Sequence, residues 1–256
     1  MDTENLKRFF LHTIKENNKI CTITGSEARH ISKVMRMREG DRLILMDQTG
    51  KRFQAKIVSS VPEKVIVTLE KKLHDPPAPP VEIILCQSIL KSRAMDFVVQ
   101  KTSELGIGTI IPFSSERTVV RLKGDKISKK IRHWLEIAHE STKQADRFVP
   151  AEIVPPKDFQ ALIDSMRSEQ ALKIILLEGE ECRGIKEILR DSPDYKKIIC
   201  IVGPEGGFSG DEVGIAKNAG FIAATMGRRI LRAETAAIII TAVIQYELGD
   251  LGRWEL

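Results

Sequence analysis

Two stretches near the C-terminus combine glycine with charged residues in a way that could both hold a ligand and act on it. They are Gly203-Pro204-Glu205-Gly206-Gly207-Phe208-Ser209 and Gly227-Arg228-Arg229-Ile230-Leu231-Arg232-Ala233-Glu234-Thr235. Glycine has no side chain, so a ligand can approach the backbone N–H and C=O groups of such loops closely. Glu205 offers a carboxylate that could accept a proton, with Glu234 as a weaker second. Arg232 offers a guanidinium that could donate two parallel hydrogen bonds to a planar anionic edge. The plainer alternatives are a turn carboxylate for Glu205 and a solvated basic cluster for Arg228, Arg229 and Arg232. The first loop is not a Walker A, because no Gly-Lys-Ser/Thr follows, and it lacks the dinucleotide-binding glycine spacing. Gly106-Ile107-Gly108 follows a helix and reads as a C-cap and turn. His133 and His139 fall on different sides of one helix, so no metal site is expected. No Ser-His-Asp or Cys-His arrangement is identifiable.

These loops need elements to position them. Ile198 to Val202 is a continuous apolar run, as in a strand buried on both faces. Ser209 followed by Glu212 is a capping-box signature, so a helix is expected from Ser209 to about Gly220. Phe221 to Met226 reads as a second strand. From Glu234 to about Leu248 the chain reads as a helix apolar on nearly every side, hence buried in a core or against a partner. Upstream, strands at 81–86, 109–112, 151–154 and 172–177 alternate with helices at 92–105, 125–143, 158–167 and 185–189. That alternation predicts a parallel α/β sheet with helices on both faces. A glycine loop leaving the C-terminal edge of such a sheet occupies the usual ligand position.

Residues 1–73 read differently. Short alternating strands joined by turns, such as Asp47-Gln48-Thr49-Gly50, suggest a small β-barrel. A short helix after Gly25 would present Ile31, Val34 and Met35 on one face. Pro76, Pro77, Pro79 and Pro80 mark residues 74–80 as a stiff linker, leaving 81–256 as the second domain. The net charge is only +5, yet residues 1–73 hold 15 Lys/Arg against 9 Asp/Glu, so the basic excess lies in this third of the chain. That is the footprint of a module that holds a polyanion such as RNA. Arg8, Arg29, Lys33, Arg36 and Arg38 are candidate phosphate contacts, and Phe9 and Phe10 are candidates for base stacking or, more simply, for core. Arg93, Arg117 and Arg121 could extend that surface beyond the linker. No run approaches the ~20 apolar residues of a membrane span. The four scattered cysteines read as reduced thiols of a cytoplasmic protein.

The two C-terminal loops resemble the signature loops of the SPOUT class of RNA methyltransferases, and more narrowly those of the ribosomal small-subunit methyltransferase E family. Arg8-Phe9-Phe10, His30 to Gly40, Gln100 to Gly106 and Gln144 to Pro150 resemble the same family, so the likeness spans almost the whole chain. It implies a PUA-like barrel followed by a SPOUT-type sheet whose C-terminal segments form a trefoil knot, an exception to the rule against knots. It implies S-adenosylmethionine as cofactor, with Leu177, Gly203, Glu205, Gly206, Met226, Gly227, Ile230 and Leu231 as contacts and the adenine against Ile230 and Leu231. It further implies a homodimer, 16S rRNA of the small subunit as partner, and N3 of a uridine as the methylated atom; the residues alone leave open a non-catalytic RNA-binding or ribosome-assembly protein, or a methyltransferase of the same class with a different RNA target. Arg232 and Glu205 are then the expected catalytic pair, and Arg228 and Arg93 additional RNA contacts.

Overall fold

The structure is a computed structural model that describes residues 6–11, 13–14, 19–47, 50–74, 79–122, 124–145, 147, 149–179 and 181–252. The chain divides into two units, Met1–Pro77 with Asp146–Val149, and Ala78–Ala145 with Pro150–Leu256. Most of the expected linker, residues 75–78, lies outside the described residues, as do Gln48 and Thr49 of the expected hairpin turn.

Among the described residues the first unit is a five-stranded sheet. Its strands are β1 (Arg8–Leu11), β2 (Ile20–Thr24), β3 (Arg42–Asp47), β4 (Arg52–Val61) and β5 (Lys64–Lys72), in the order β1-β3-β4-β5-β2. Phe53, Ala55 and Ile57 point inward from β4 and Lys56 and Val58 outward, the period of two expected of a half-buried strand. Register shifts at Gln54/Ala55 and Ile57/Ser59 bend β4, so the sheet curls around Phe9, Ile23, Ile31, Leu43, Leu45, Val65 and Val67. Phe9 and Phe10 lie in β1 and are buried, which assigns them to packing and not to base stacking. The buried Asp47 carboxylate accepts hydrogen bonds from the amides of Ile14 (3.1 Å) and Lys51 (3.2 Å).

The helix expected after Gly25 is corrected. A short α1 (Gly25–Arg29) passes into a π-helical turn at His30–Val34, where the amide of Met35 reaches back to His30 O. The wider turn shifts the facing of successive residues. Ile31 stays fully buried, while Val34 is 68% exposed and leaves the core face assigned to it. Arg36, just beyond, has φ +51, the left-handed region that a non-glycine residue occupies under strain.

Among the described residues the second unit is an eight-stranded sheet flanked by helices. In chain order it runs β6 (Glu82–Ser88), α2 (Ser92–Glu104), β7 (Thr109–Ser114), α3 (Asp125–Gln144), β8 (Glu152–Ile153), β9 (Lys157–Asp158) and α4 (Phe159–Met166). It continues with β10 (Leu172–Leu176), β11 (Arg183–Gly184), α5 (Ile185–Arg190), β12 (Lys197–Val202), α6 (Gly210–Asn218), β13 (Ile222–Thr225) and α7 (Ala233–Glu247). The order is β11-β13-β10-β12-β6-β7-β8, with β9 also on β7, and every described pairing is parallel. β12 therefore enters between β6 and β10, two strands that precede it in the chain.

Alternation explains the unbroken apolar runs. Ile198 and Cys200 of β12 face one core with α2, α3, α5 and α7, and Ile199 and Ile201 face a second with α4 and α6. Trp134 of α3 is buried against α2 and donates its indole N–H to Asp96 at 3.1 Å. On α7, Ala237, Ile240, Thr241, Ile244 and Gln245 are buried, while Ile239 is 36% and Tyr246 66% exposed. The expectation of a helix covered all round therefore holds for one face within a single chain. No helix among the described residues is long and apolar enough to cross a membrane.

Candidate active site

Parallel strands bring their C-terminal ends to one edge, and here three loops meet there. β10 pairs with β12 (Ile175 opposite Ile201) and with β13 (Leu176 opposite Ala224). The amide of Leu177 still bonds Ala224 O at 2.9 Å. Carrying those registers on by a residue or two puts Leu177 level with Gly203 on one side and Thr225 on the other. Leu177, the 203–209 loop and the 226–232 loop thus share one end of the sheet. The sequence spreads them over more than fifty residues.

The first loop is tightly built. Gly203 and Pro204 are buried, whereas Glu205, Gly206 and Gly207 are exposed. The amide of Gly207, at φ +68, bonds Pro204 O at 2.9 Å and closes a turn that favours glycine. Phe208 folds back over Gly203 and stacks parallel to Phe113, with ring centroids 6.3 Å apart and planes 5° apart. Ser209 caps α6 in a complete capping box. The amide of Ser209 donates to Glu212 Oε2 at 3.0 Å, and the amide of Glu212 to Ser209 Oγ at 3.4 Å.

The second loop is open. Gly227 has φ +104 with nothing within 4 Å of the position a Cβ would take, and its amide bonds the Thr225 hydroxyl at 3.2 Å. Arg228, Arg229 and Ile230 are exposed, Ile230 at 78%. Met226 and Leu231 are half-buried. Arg232 is the exposed N-cap of α7, with extended backbone (ψ 150), and its carbonyl accepts from the amide of Ala236 at 2.8 Å. Glu234 is half-buried in the first turn of α7.

A fourth segment closes the same edge, and of its residues only Arg117 was expected, as an extension of the RNA-binding surface. The Ser115–Thr118 turn follows β7. Its Thr118 hydroxyl bonds the amide of Ser115 (2.8 Å), the hydroxyl of Ser115 (3.0 Å) and the hydroxyl of Ser88 at the end of β6 (2.9 Å). From this turn Arg117 donates to Gly206 O at 3.0 Å, and the amide of Glu116 donates to Glu212 Oε1 at 2.9 Å. Next to Ser88, Gln87 is fully buried opposite Val202; its amide group donates to Ser88 O, and its Oε1 has no hydrogen-bond partner among the described residues. The signal that could have found Gln87 and Ser88 is polarity at the C-terminal end of an otherwise apolar strand.

Most of the remaining expected residues fall elsewhere. Arg93 is exposed in the first turn of α2, which leaves the same edge after β6. Arg29, Lys33, Arg36 and Arg38 are exposed on the first unit. Arg8 is half-buried in β1, and burial lowers its pKa. His133 is held by Asp96 at 3.1 Å, and no cluster of metal-ligating side chains occurs among the described residues. Cys86 and Cys200 sit in the core, where burial pushes the Cys86 thiol up to about 12 and the Cys200 thiol upward as well. Such thiols are inert packing groups.

Comparison with known proteins gives a consistent set of relatives. The profile of an RNA methyltransferase domain matches residues 77–245, and that of an RNA methyltransferase PUA domain matches residues 23–70. A ribosomal RNA small subunit methyltransferase E from Buchnera aphidicola (subspecies Schizaphis graminum) is 31% identical, over 97% of this chain and 99% of its own. The Bacillus subtilis protein of the same name is 29% identical, over 94% and 97%. Among solved structures, a ribosomal RNA small subunit methyltransferase E from Neisseria gonorrhoeae bound to S-adenosylmethionine superposes with a TM-score of 0.85 at 30% identity, covering 96% of this chain and 99% of that one.

Proposed function

The chain belongs to the ribosomal RNA small subunit methyltransferase E family, and from that premise we propose that it methylates N3 of a uridine in 16S rRNA with S-adenosylmethionine as methyl donor. The observation that carries the reading is the meeting of Leu177, the Gly203 loop and the Gly227 loop at one sheet edge, with Arg232 at the start of α7 beside them.

The edge fits the cofactor chemically. Gly207 and Gly227 have nothing within 4 Å of the position a Cβ would take, Ile230 and Leu231 offer apolar surface for adenine, and Gln87 holds a buried acceptor without a partner among the described residues. Leu177, Gly203, Glu205, Gly206, Met226, Gly227, Ile230 and Leu231 are the proposed contacts. S-adenosylmethionine supplies a methyl group on a sulfonium, electrophilic enough for attack by a ring nitrogen. The protein must then manage the acceptor. Uridine N3 carries a proton, and losing it leaves charge on O2, N3 and O4. Arg232 donates to that edge and stabilises the anion, while Glu205 accepts the proton. Arg228 and Arg93 hold the RNA at the same edge.

In this reading residues 1–73 dock the RNA through Arg8, Arg29, Lys33, Arg36 and Arg38, residues 74–80 link, and residues 81–256 form the methyltransferase domain, with its late strands threaded as a trefoil knot. The uncovered Ile239 and Tyr246 of α7 support a homodimer through that helix. The site of action is the cytoplasm, where small subunits are assembled. The test is mass spectrometry of 16S rRNA after incubating unmethylated small subunits with the protein and S-adenosylmethionine. A single N3-methyluridine is expected. A methyl group on ribose, or on another base, would overturn the assignment of the acceptor.

A further inference from the structure

Glu212 makes more bonds than a helix cap needs. Its side chain is almost fully buried, and its two carboxylate oxygens accept from different segments. Oε2 takes the amide of Ser209, the cap of its own helix, and Oε1 takes the amide of Glu116, 96 positions away in the chain. The segment it grips is itself fixed from below, because Thr118 is tied to Ser88 at the end of β6. Between these two anchors stands Arg117. Its guanidinium donates to Gly206 O, its Cβ lies 3.3 Å from the Cβ position of Gly206, and it is exposed. Among the described residues Gly206 takes one of its five N–H donors, which leaves donors for a ligand.

We propose that Glu212 is a positioning residue: it latches the Ser115–Thr118 turn onto the glycine loop and so holds the Arg117 guanidinium at the mouth of the site, where it contacts a phosphate of the RNA being methylated. The inference rests on the reading that the glycine loop lies beside the RNA acceptor. A carboxylate is required because both contacts are backbone N–H groups. Glutamine would turn an NH2 toward one of them and open one arm of the latch.

The test measures binding of wild type, Arg117→Ala, Glu212→Gln, Ser209→Ala and Glu116→Pro to unmethylated small subunits as Kd across a salt series. Affinity for S-adenosylmethionine is measured alongside by calorimetry. Ser209→Ala weakens the cap of α6 but leaves the Glu116 arm intact. Glu116→Pro removes the amide at the second position of the turn, where proline is favoured, and leaves α6 untouched. Arg117→Ala, Glu212→Gln and Glu116→Pro are each expected to weaken RNA binding about tenfold, the scale of a charged hydrogen bond. Arg117→Ala should also reduce the salt slope by about one phosphate contact. Arg117→Ala combined with Glu212→Gln should be no weaker than either alone. Ser209→Ala should stay within about twofold of wild type, and cofactor affinity should hold for Arg117→Ala. Equal losses in Ser209→Ala and Glu212→Gln would reduce Glu212 to a cap and overturn the proposal. So would additive losses in the double variant, or RNA affinity unchanged in Arg117→Ala. Wild type that binds subunits yet transfers no methyl would overturn the proposed activity, while these affinities would still decide the latch.

Discussion

The Phe208 ring occupies the space a side chain at residue 203 would need: a Cβ on Gly203 would lie 2.8 Å from Phe208 Cε2. Gly203 is thus required by packing as well as by any ligand. Gly203→Ala should displace the ring and lower stability by about 1–3 kcal/mol, the usual cost of overpacking. Phe208→Leu should relieve part of that clash, so the double variant should be more stable than the sum of the single losses. Urea unfolding of the four proteins tests this. Strict additivity would place the strain elsewhere.

Arg232 caps α7 with its backbone, not its side chain, so its guanidinium is free of a capping duty. Arg232→Ala and Arg232→Lys should both fold normally and bind S-adenosylmethionine within about twofold of wild type. In single-turnover methyl transfer each should be slower by about 10²–10³, the loss seen when one donor to a developing anion is removed. A near-normal rate in Arg232→Lys would mean that charge suffices without the planar fork.

One carboxylate of α2 bonds two side chains of α3. Asp96 accepts from the buried Trp134 indole N–H and lies 3.1 Å from His133. Asp96→Ala would leave the indole donor buried without a partner, and should destabilise by about 1–3 kcal/mol. Asp96→Asn keeps an acceptor and should lose less than Asp96→Ala. Guanidinium unfolding separates them, and equal stability of the two variants would refute a role for the bond.

Alkaline pH should destabilise this protein through its core thiols. Both Cys86 and Cys200 have their pKa raised by burial from an ordinary 9.0, Cys86 to about 12. Above pH 9 the unfolded chain releases these protons while the folded one keeps them. The unfolded state then binds fewer protons, and stability falls as pH rises, by up to about 1.4 kcal/mol per pH unit for each thiol. The stabilisation is complete below pH 9 and declines from there through the folded-state value. Urea unfolding between pH 8 and 11 should show this decline. Cys200→Ala, although less stable at pH 8, should show a shallower one.

Much of this was readable along the chain. The run Ile198–Val202 and the pair Ser209/Glu212 marked β12 and the cap of α6, and both stand as read, because apolar periodicity and capping are local properties. Val34 was misplaced because a π-helical turn breaks the 3.6-residue period, and no local residue announces it. β1 has no local mark in the sequence, because its parallel pairing with β3 is made between segments more than thirty residues apart.

The sequence by itself determined the strand–helix alternation, the basic first unit, the two glycine loops and the family they resemble. Each is written in residue types at short spacing, which bonding within a turn or a strand is enough to express. The tertiary structure alone decided what stands next to those loops. Nothing near Glu212 in the chain indicates that its second oxygen holds the amide of Glu116, or that Arg117 would reach Gly206. Those contacts exist because parallel pairing of β12 with β6 and of β6 with β7 delivers distant strand ends to one edge. Pairing across a sheet is set by the burial of both faces at once, a condition on the whole unit and not on any stretch of it.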